Sequence, residues 1–137
     1  MKKFDALYAR CPSREILASV ASKWTVLVLS VLTEGTTRFN ELRRRVQGVT
    51  QKSLTQNLRD LERLGLVSRR IYAEVPPRVE YSLTPLGHSL VEVLDDIKEW
   101  TERHAPDVLS AQQRFDRAQA REKRGHREGA QVAEGSV

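Results

Sequence analysis

The stretch from Thr50 to Leu83 constrains this chain most. Leu54, Leu58, Leu61 and Leu64 recur at the spacing of one helix face, with Thr50 placed as its cap and Gly65 as its stop. Leu66 stands where the hydrophobic contact of a Schellman end belongs. Two β-prone runs follow at once, Val67–Tyr72 and Val79–Leu83, separated by Ala73-Glu74-Val75-Pro76-Pro77-Arg78. Proline cannot donate to a sheet ladder, so that segment is a loop and the two runs are the arms of a hairpin. A glycine-stopped helix running into a hairpin leaves few architectures open to a chain of 137 residues, which can bury one core.

The elements upstream narrow the choice. Ser13 to Val20 reads as a short helix with Ile16, Leu17 and Val20 on one face. Ser22 caps a second, Lys23 to Thr33, whose Trp24, Leu27, Val28, Val31 and Leu32 keep helical spacing and which Glu34-Gly35 ends. Thr36 to Phe39 is a short β-prone link, and Asn40 is the expected cap of a third helix, Glu41 to Val46. The tight turn Gln47-Gly48-Val49 leads to the leucine-striped helix, whose outer face is polar. Two short helices joined by a glycine turn form a helix-turn-helix, and the hairpin after them is its wing. The expected fold is therefore mainly α with a small β-hairpin wing.

Thr84-Pro85, a cap followed by proline at the first helical position, opens a fifth helix. Its stripe of Leu86, Leu90, Val93, Leu94, Ile97 and Trp100 exceeds what a small domain needs for itself, which predicts a long C-terminal helix that pairs two copies. Pro106 is expected to end or kink that helix, with Asp107 to Ala120 adding a further helical piece. Residues 1–111 should then form the DNA-binding and dimerisation domain. Residues 112–137, charged and poor in large apolar side chains, should form a disordered tail.

Charge points to the partner. From Arg38 to Glu80 there are ten Lys/Arg against five Asp/Glu, whereas Thr84 to Ala111 holds two against six. A basic middle beside an acidic helix suggests a polyanion at the centre of the chain. The one cysteine, Cys11, excludes an intrachain disulfide and leaves too few thiolates for a zinc-thiolate site. The three histidines are scattered, and no Ser-His-Asp set or glycine-rich phosphate loop is present, so neither enzyme activity, a metal nor a cofactor is expected. The longest apolar run is too short to span a bilayer and no signal-peptide pattern opens the chain, which predicts a cytoplasmic protein without membrane contact.

Gln51, Lys52, Ser53, Thr55, Gln56 and Arg59 lie opposite the leucine stripe, just after Thr50. Glutamine can pair bidentately with adenine, and arginine or lysine with guanine, in the major groove of double-stranded DNA. Arg38, Arg43, Arg44 and Arg45 are placed to meet phosphates, and Arg78 at the wing tip to meet a phosphate or the minor groove. Arg69 and Arg70 point to opposite faces of their strand, so only one of them can face the same partner. A rival reading is a winged-helix module that binds another protein through the same groove face or through its acidic helix.

Several strings together resemble the HxlR-type winged-helix regulators. They are Cys11-Pro12, Lys23-Trp24-Thr25, Arg38-Phe39-Asn40-Glu41-Leu42-Arg43, Thr50-Gln51-Lys52-Ser53-Leu54-Thr55, Leu58-Arg59-Asp60-Leu61-Glu62 and the long run from Pro76 to Gly87. Ala21-Ser22 departs from the paired glycines common in that pattern. The resemblance covers about residues 11 to 103. It implies a sequence-specific transcriptional regulator acting as a homodimer on a pseudo-palindromic operator, with its effector left open. It also implies that Cys11 could sense oxidants or electrophiles, because some such regulators use a cysteine at this position. A helix N-terminus and the flanking Arg10 and Arg14 would favour its thiolate. The alternative is an inert cysteine packed at the dimer contact.

Overall fold

The computed structural model describes residues 3–134. The chain divides into two compact units, Met1–Lys98 and Glu99–Val137. The first carries α1 (Pro12–Val20), α2 (Lys23–Leu32), β1 (Thr37–Arg38), α3 (Phe39–Arg45), α4 (Gln51–Arg63), β2 (Val67–Tyr72), β3 (Arg78–Leu83) and the opening turns of α5 (Pro85–Glu134).

Most boundaries follow the chemistry of the caps. The Ser22 side chain accepts from the Thr25 backbone N–H at the start of α2, and Thr50 does the same for Ser53 at the start of α4. At the far end of α4, Gly65 takes a φ of +77°. Its N–H reaches the Glu62 carbonyl at 3.0 Å, and the Leu66 N–H reaches the Leu61 carbonyl at 2.9 Å. Those two bonds make a Schellman end. Thr84 Oγ1 accepts from the Gly87 N–H at 3.0 Å to cap α5 and donates to the Gly65 carbonyl at 2.6 Å. One hydroxyl thus ties the start of α5 to the end of α4.

The three strands form an antiparallel sheet in the order β1-β3-β2. Register runs from Val67 opposite Leu83 to Tyr72 opposite Arg78, and Thr37 lies opposite Tyr81. The wing was legible in the sequence as a hairpin; the third strand was not, because two residues carry too little pattern to name a partner. Its pairing also moves the start of α3. Arg38, extended at ψ 153°, takes the cap position without a side-chain bond, so Asn40 lies inside the helix and does not cap it.

The core is built from Val28, Leu29 and Leu32 of α2, Leu42 of α3, Leu54, Leu58 and Leu61 of α4, and Val67 and Tyr81 of the sheet. Val91 and Leu94 close it from α5. Leu94 was expected at a dimer contact, but only 4% of it is exposed, because it belongs to the protomer's own core.

The region after residue 98 differs most from expectation. Pro106 lies inside α5 and does not end it; helix covers the piece expected from Asp107 to Ala120 and continues to residue 134, through the segment expected to be disordered. Residues 135–137 of that expected tail lie outside the described residues. Alanine, glutamine, arginine, lysine and glutamate dominate this stretch, and these strong helix formers outweigh Gly125 and Gly129. Arg103 pairs with Glu99 at 2.5 Å on consecutive turns, adding local support.

Candidate nucleic-acid interface

On α4, burial separates two faces. Leu54, Leu58 and Leu61 are buried, while Thr50, Gln51, Lys52, Thr55, Gln56 and Arg59 are exposed and Ser53 is half-buried. The residues singled out for base contact therefore share one accessible face, concentrated in the first turns of the helix. Gln56 Nε2 donates to Asp60 Oδ1 at 3.0 Å, which holds its amide along the helix. Lys52 and Arg59 make no ion pair among the described residues. Their charges are available to a polyanion.

The α3 arginines differ in how far they are neutralised. Arg44 grips Glu41 through two nitrogens, at 2.6 and 3.2 Å, and Arg45 pairs with Glu34. The Arg45 guanidinium holds the Glu34 carboxyl below its ordinary range through a hydrogen bond. Arg43 instead donates to Gln51 Oε1 at 3.4 Å, bringing a cation of α3 against the first residue of α4. Arg38 is exposed, 4.0 Å from Glu80. Exposed pairs of this kind are worth little in water, so exchanging a carboxylate partner for a phosphate costs little.

The wing holds Arg78 in place. Arg78 is not a free finger: its side chain is only 26% exposed, pairs with Glu74 at 3.5 Å and Glu80 at 3.4 Å, and lies 4.0 Å from the centroid of the Tyr72 ring. Tyr72 faces Arg78 across the hairpin, so stacking and register hold that guanidinium together. Arg70 shares the Tyr72 face at 4.8 Å and is exposed, whereas Arg69 turns toward α4 and pairs with Glu62 at 3.3 Å. Strand alternation separates the two as expected. Arg70 is thus more exposed than Arg78. Between the wing loop and α3 lies an open cleft of about 670 Å³ bordered by Arg38, Arg44 and Arg78.

A second surface has the opposite character. Ile16 and Leu17 of α1 and Leu86, Val93 and Ile97 of α5 are each about half exposed. With Val20, Leu64, Leu66 and the half-buried Leu90, members of this set line an apolar groove of about 340 Å³. In the second unit, Trp100 is exposed and stacks on His104 with ring centroids 4.9 Å apart. With Leu94 assigned to the core, the rest of the expected stripe (86, 90, 93, 97, 100) steps by four and three alternately. Helix seams that face another helix share that sequence period.

Cys11 occupies the N-cap position of α1. Its Sγ lies 3.0 Å from Ser13 Oγ and accepts from the Asp5 N–H at 3.2 Å. Its pKa is lowered, first by the Ser13 hydroxyl, then by the Ser13 backbone N–H, with a smaller share from the Asp5 N–H. The thiolate is thus favoured by hydrogen bonds, one of them from the start of α1 as expected, and not by Arg10 and Arg14.

Residues 19–108 match the model of the HxlR-like helix-turn-helix family. The uncharacterized HTH-type transcriptional regulator YtfH of Escherichia coli is 46% identical over 110 residues, covering 80% of this chain and 87% of the relative. Among solved structures, YtfH from Salmonella typhimurium superposes with a TM-score of 0.78 at 43% identity, covering 81% of this chain and 99% of that one. The redox regulator HypR in its oxidized form gives 0.61 at 42% identity, covering 68% and 96%.

Proposed function

This chain belongs to the HxlR-like helix-turn-helix family, and from that premise we propose that it is a transcriptional regulator that binds a pseudo-palindromic operator as a homodimer. The observation that carries this reading is the division of α4, with every leucine before its last turn buried and its polar side chains exposed in the first turns. Gln51, Lys52 and Gln56 would meet base edges. Thr50, Ser53, Thr55, Arg59, Arg38, Arg43, Arg44 and Arg78, with Arg70, would hold the phosphates around them.

The apolar face of α1 and α5 supports the homodimer. Leu86, Leu90, Val93, Ile97 and Trp100 would form its seam, and isologous pairing would close it. Two recognition helices related by a two-fold would enter successive major grooves, so half-sites should lie about 10–10.5 bp apart or a multiple of that. Such a regulator acts in the cytoplasm. No single helix among the described residues is long and apolar enough to cross a membrane.

The experiment is duplex binding at several salt concentrations. Arg44→Ala should weaken binding to cognate and scrambled duplexes alike and lower the salt slope by about one unit. A slope that does not depend on Arg44 would remove it from the interface.

Cys11 gives the regulator a means of response, and its likeness to the redox regulator HypR supports that part of the reading. A single thiol can act through an intermolecular disulfide, a small-thiol adduct or alkylation. Operator affinity that changes with diamide in the wild type but not in Cys11→Ser is the expected result; no change in either would leave the cysteine structural.

A further inference from the structure

Among the described residues, the core holds two polar side chains, Thr25 and Asn57, and they bond to each other. Thr25 is fully buried and Asn57 is 9% exposed. Thr25 has one hydroxyl hydrogen and gives it to the Ser19 carbonyl at 2.7 Å. Its oxygen can therefore only accept from Asn57, whose Nδ2 lies at 3.0 Å. One short chain of bonds thus joins the last turn of α1, the first turn of α2 and the middle of α4.

Asn57 lies on the leucine face of α4, in line with Leu54, Leu58 and Leu61. Leucine burial is non-directional, so it tolerates small rotations of the helix about its own axis. A hydrogen bond between buried groups is directional, and breaking it strands both partners away from water. Asn57 Oδ1 has no protein partner among the described residues, so the amide is only half satisfied. A leucine at this position would pack without that cost, so stability alone does not explain an asparagine. Its neighbour Gln56 and the first-turn residues Gln51 and Lys52 belong to the same rigid helix, and any rotation of α4 re-aims them all.

We propose that Asn57 and Thr25 are positioning residues: their bond sets the angle at which α4 presents its reading face, and with it the sequence preference of the protein. This rests on the reading of α4 as the DNA-contacting helix. Thr25, being wholly buried on another helix, cannot touch DNA, so any effect of changing it on sequence preference must pass through α4.

The test uses the full chain and two probes: a duplex that the wild-type protein selects from a random-sequence pool, and the same duplex scrambled. Thr25→Val keeps the shape and removes the hydroxyl; Thr25→Ser keeps the hydroxyl; Asn57→Leu removes the donor. Thr25→Val and Asn57→Leu should stay folded by circular dichroism and lose about tenfold in the cognate-to-scrambled ratio, the worth of one base contact. Thr25→Ser should keep the ratio, and the salt slope should stay the same throughout. An unchanged ratio in the folded variants overturns the proposal, as does an equal fall in Thr25→Ser, which would assign the effect to packing. If Thr25→Val unfolds, Asn57→Leu decides, and unfolding of both makes the pair structural and overturns it. A wild-type protein that selects no sequence overturns the DNA reading itself, a failure distinct from the others.

Discussion

α4 and the opening turns of α5 are both amphipathic helices of one small domain, yet they expose opposite things. α4 buries Leu54, Leu58 and Leu61 and shows solvent a polar, partly cationic face. α5 buries the side chains of Val91 and Leu94 and leaves Leu86, Val93 and Ile97 about half exposed. An exposed polar face is ordinary, whereas a row of exposed large apolar residues is not, and it marks an interaction surface. The difference supports the two proposed partners: one helix suits a hydrated polyanion and the other suits a second apolar helix.

The sharpest break of that comparison is Ile97→Glu. Burying an isoleucine-sized side chain is worth roughly 1.5–3 kcal/mol, and a two-fold interface counts it twice, so the dimer should weaken by about 3–6 kcal/mol. Sedimentation across a concentration series reads this directly. A wild type that stays monomeric at micromolar concentration would remove the α5 half of the comparison.

The junction between the two helices offers a smaller effect. A Cβ on Gly87 would lie 2.1 Å from the Leu66 carbonyl oxygen and 3.1 Å from its carbon. Neither atom can yield cheaply, since both are backbone beside the Schellman end. Gly87→Ala should cost about 1–3 kcal/mol in thermal or urea unfolding. A variant as stable as wild type would mean that α4 and α5 are not held this tightly.

How much of this was legible depended on whether the signal was local. Caps and stops are local chemistry, so Ser22, Thr50, Gly65 and Thr84-Pro85 marked their helix ends in the sequence. Pairings are not: β1 against β3, Arg78 folded onto Tyr72, and Asn57 against Thr25 each join residues whose neighbourhood says nothing of the partner. Asn57 did leave one trace, a polar residue on a leucine face. Leu94 was misassigned because it satisfies both the core spacing and the exposed stripe, and only burial separates the two. Beyond residue 112, low apolar content suggested disorder, while helix-forming residues set the local conformation.

Two finer effects sharpen the picture at its edges. The Ser13 hydroxyl is the first cause of the lowered Cys11 pKa, so the thiolate forms at lower pH than for an ordinary thiol. In Ser13→Ala the pH–rate profile of alkylation by iodoacetamide should move to higher pH; a profile that stays put would deny Ser13 that role. Smallest of all, deleting Arg121–Val137 should change unfolding free energy by less than about 0.5 kcal/mol, because residues 121–131 are all exposed. A large loss would show that the segment packs on something.

The central claim is that α4 reads bases. Its most direct test is the ratio of affinities for cognate and scrambled duplex in Gln51→Ala, Lys52→Ala and Gln56→Ala. A residue in bidentate base contact should lose about 1–3 kcal/mol of discrimination and relax the preference at one operator position. If all three variants keep the wild-type ratio, α4 is not the reader, even should the protein still bind DNA.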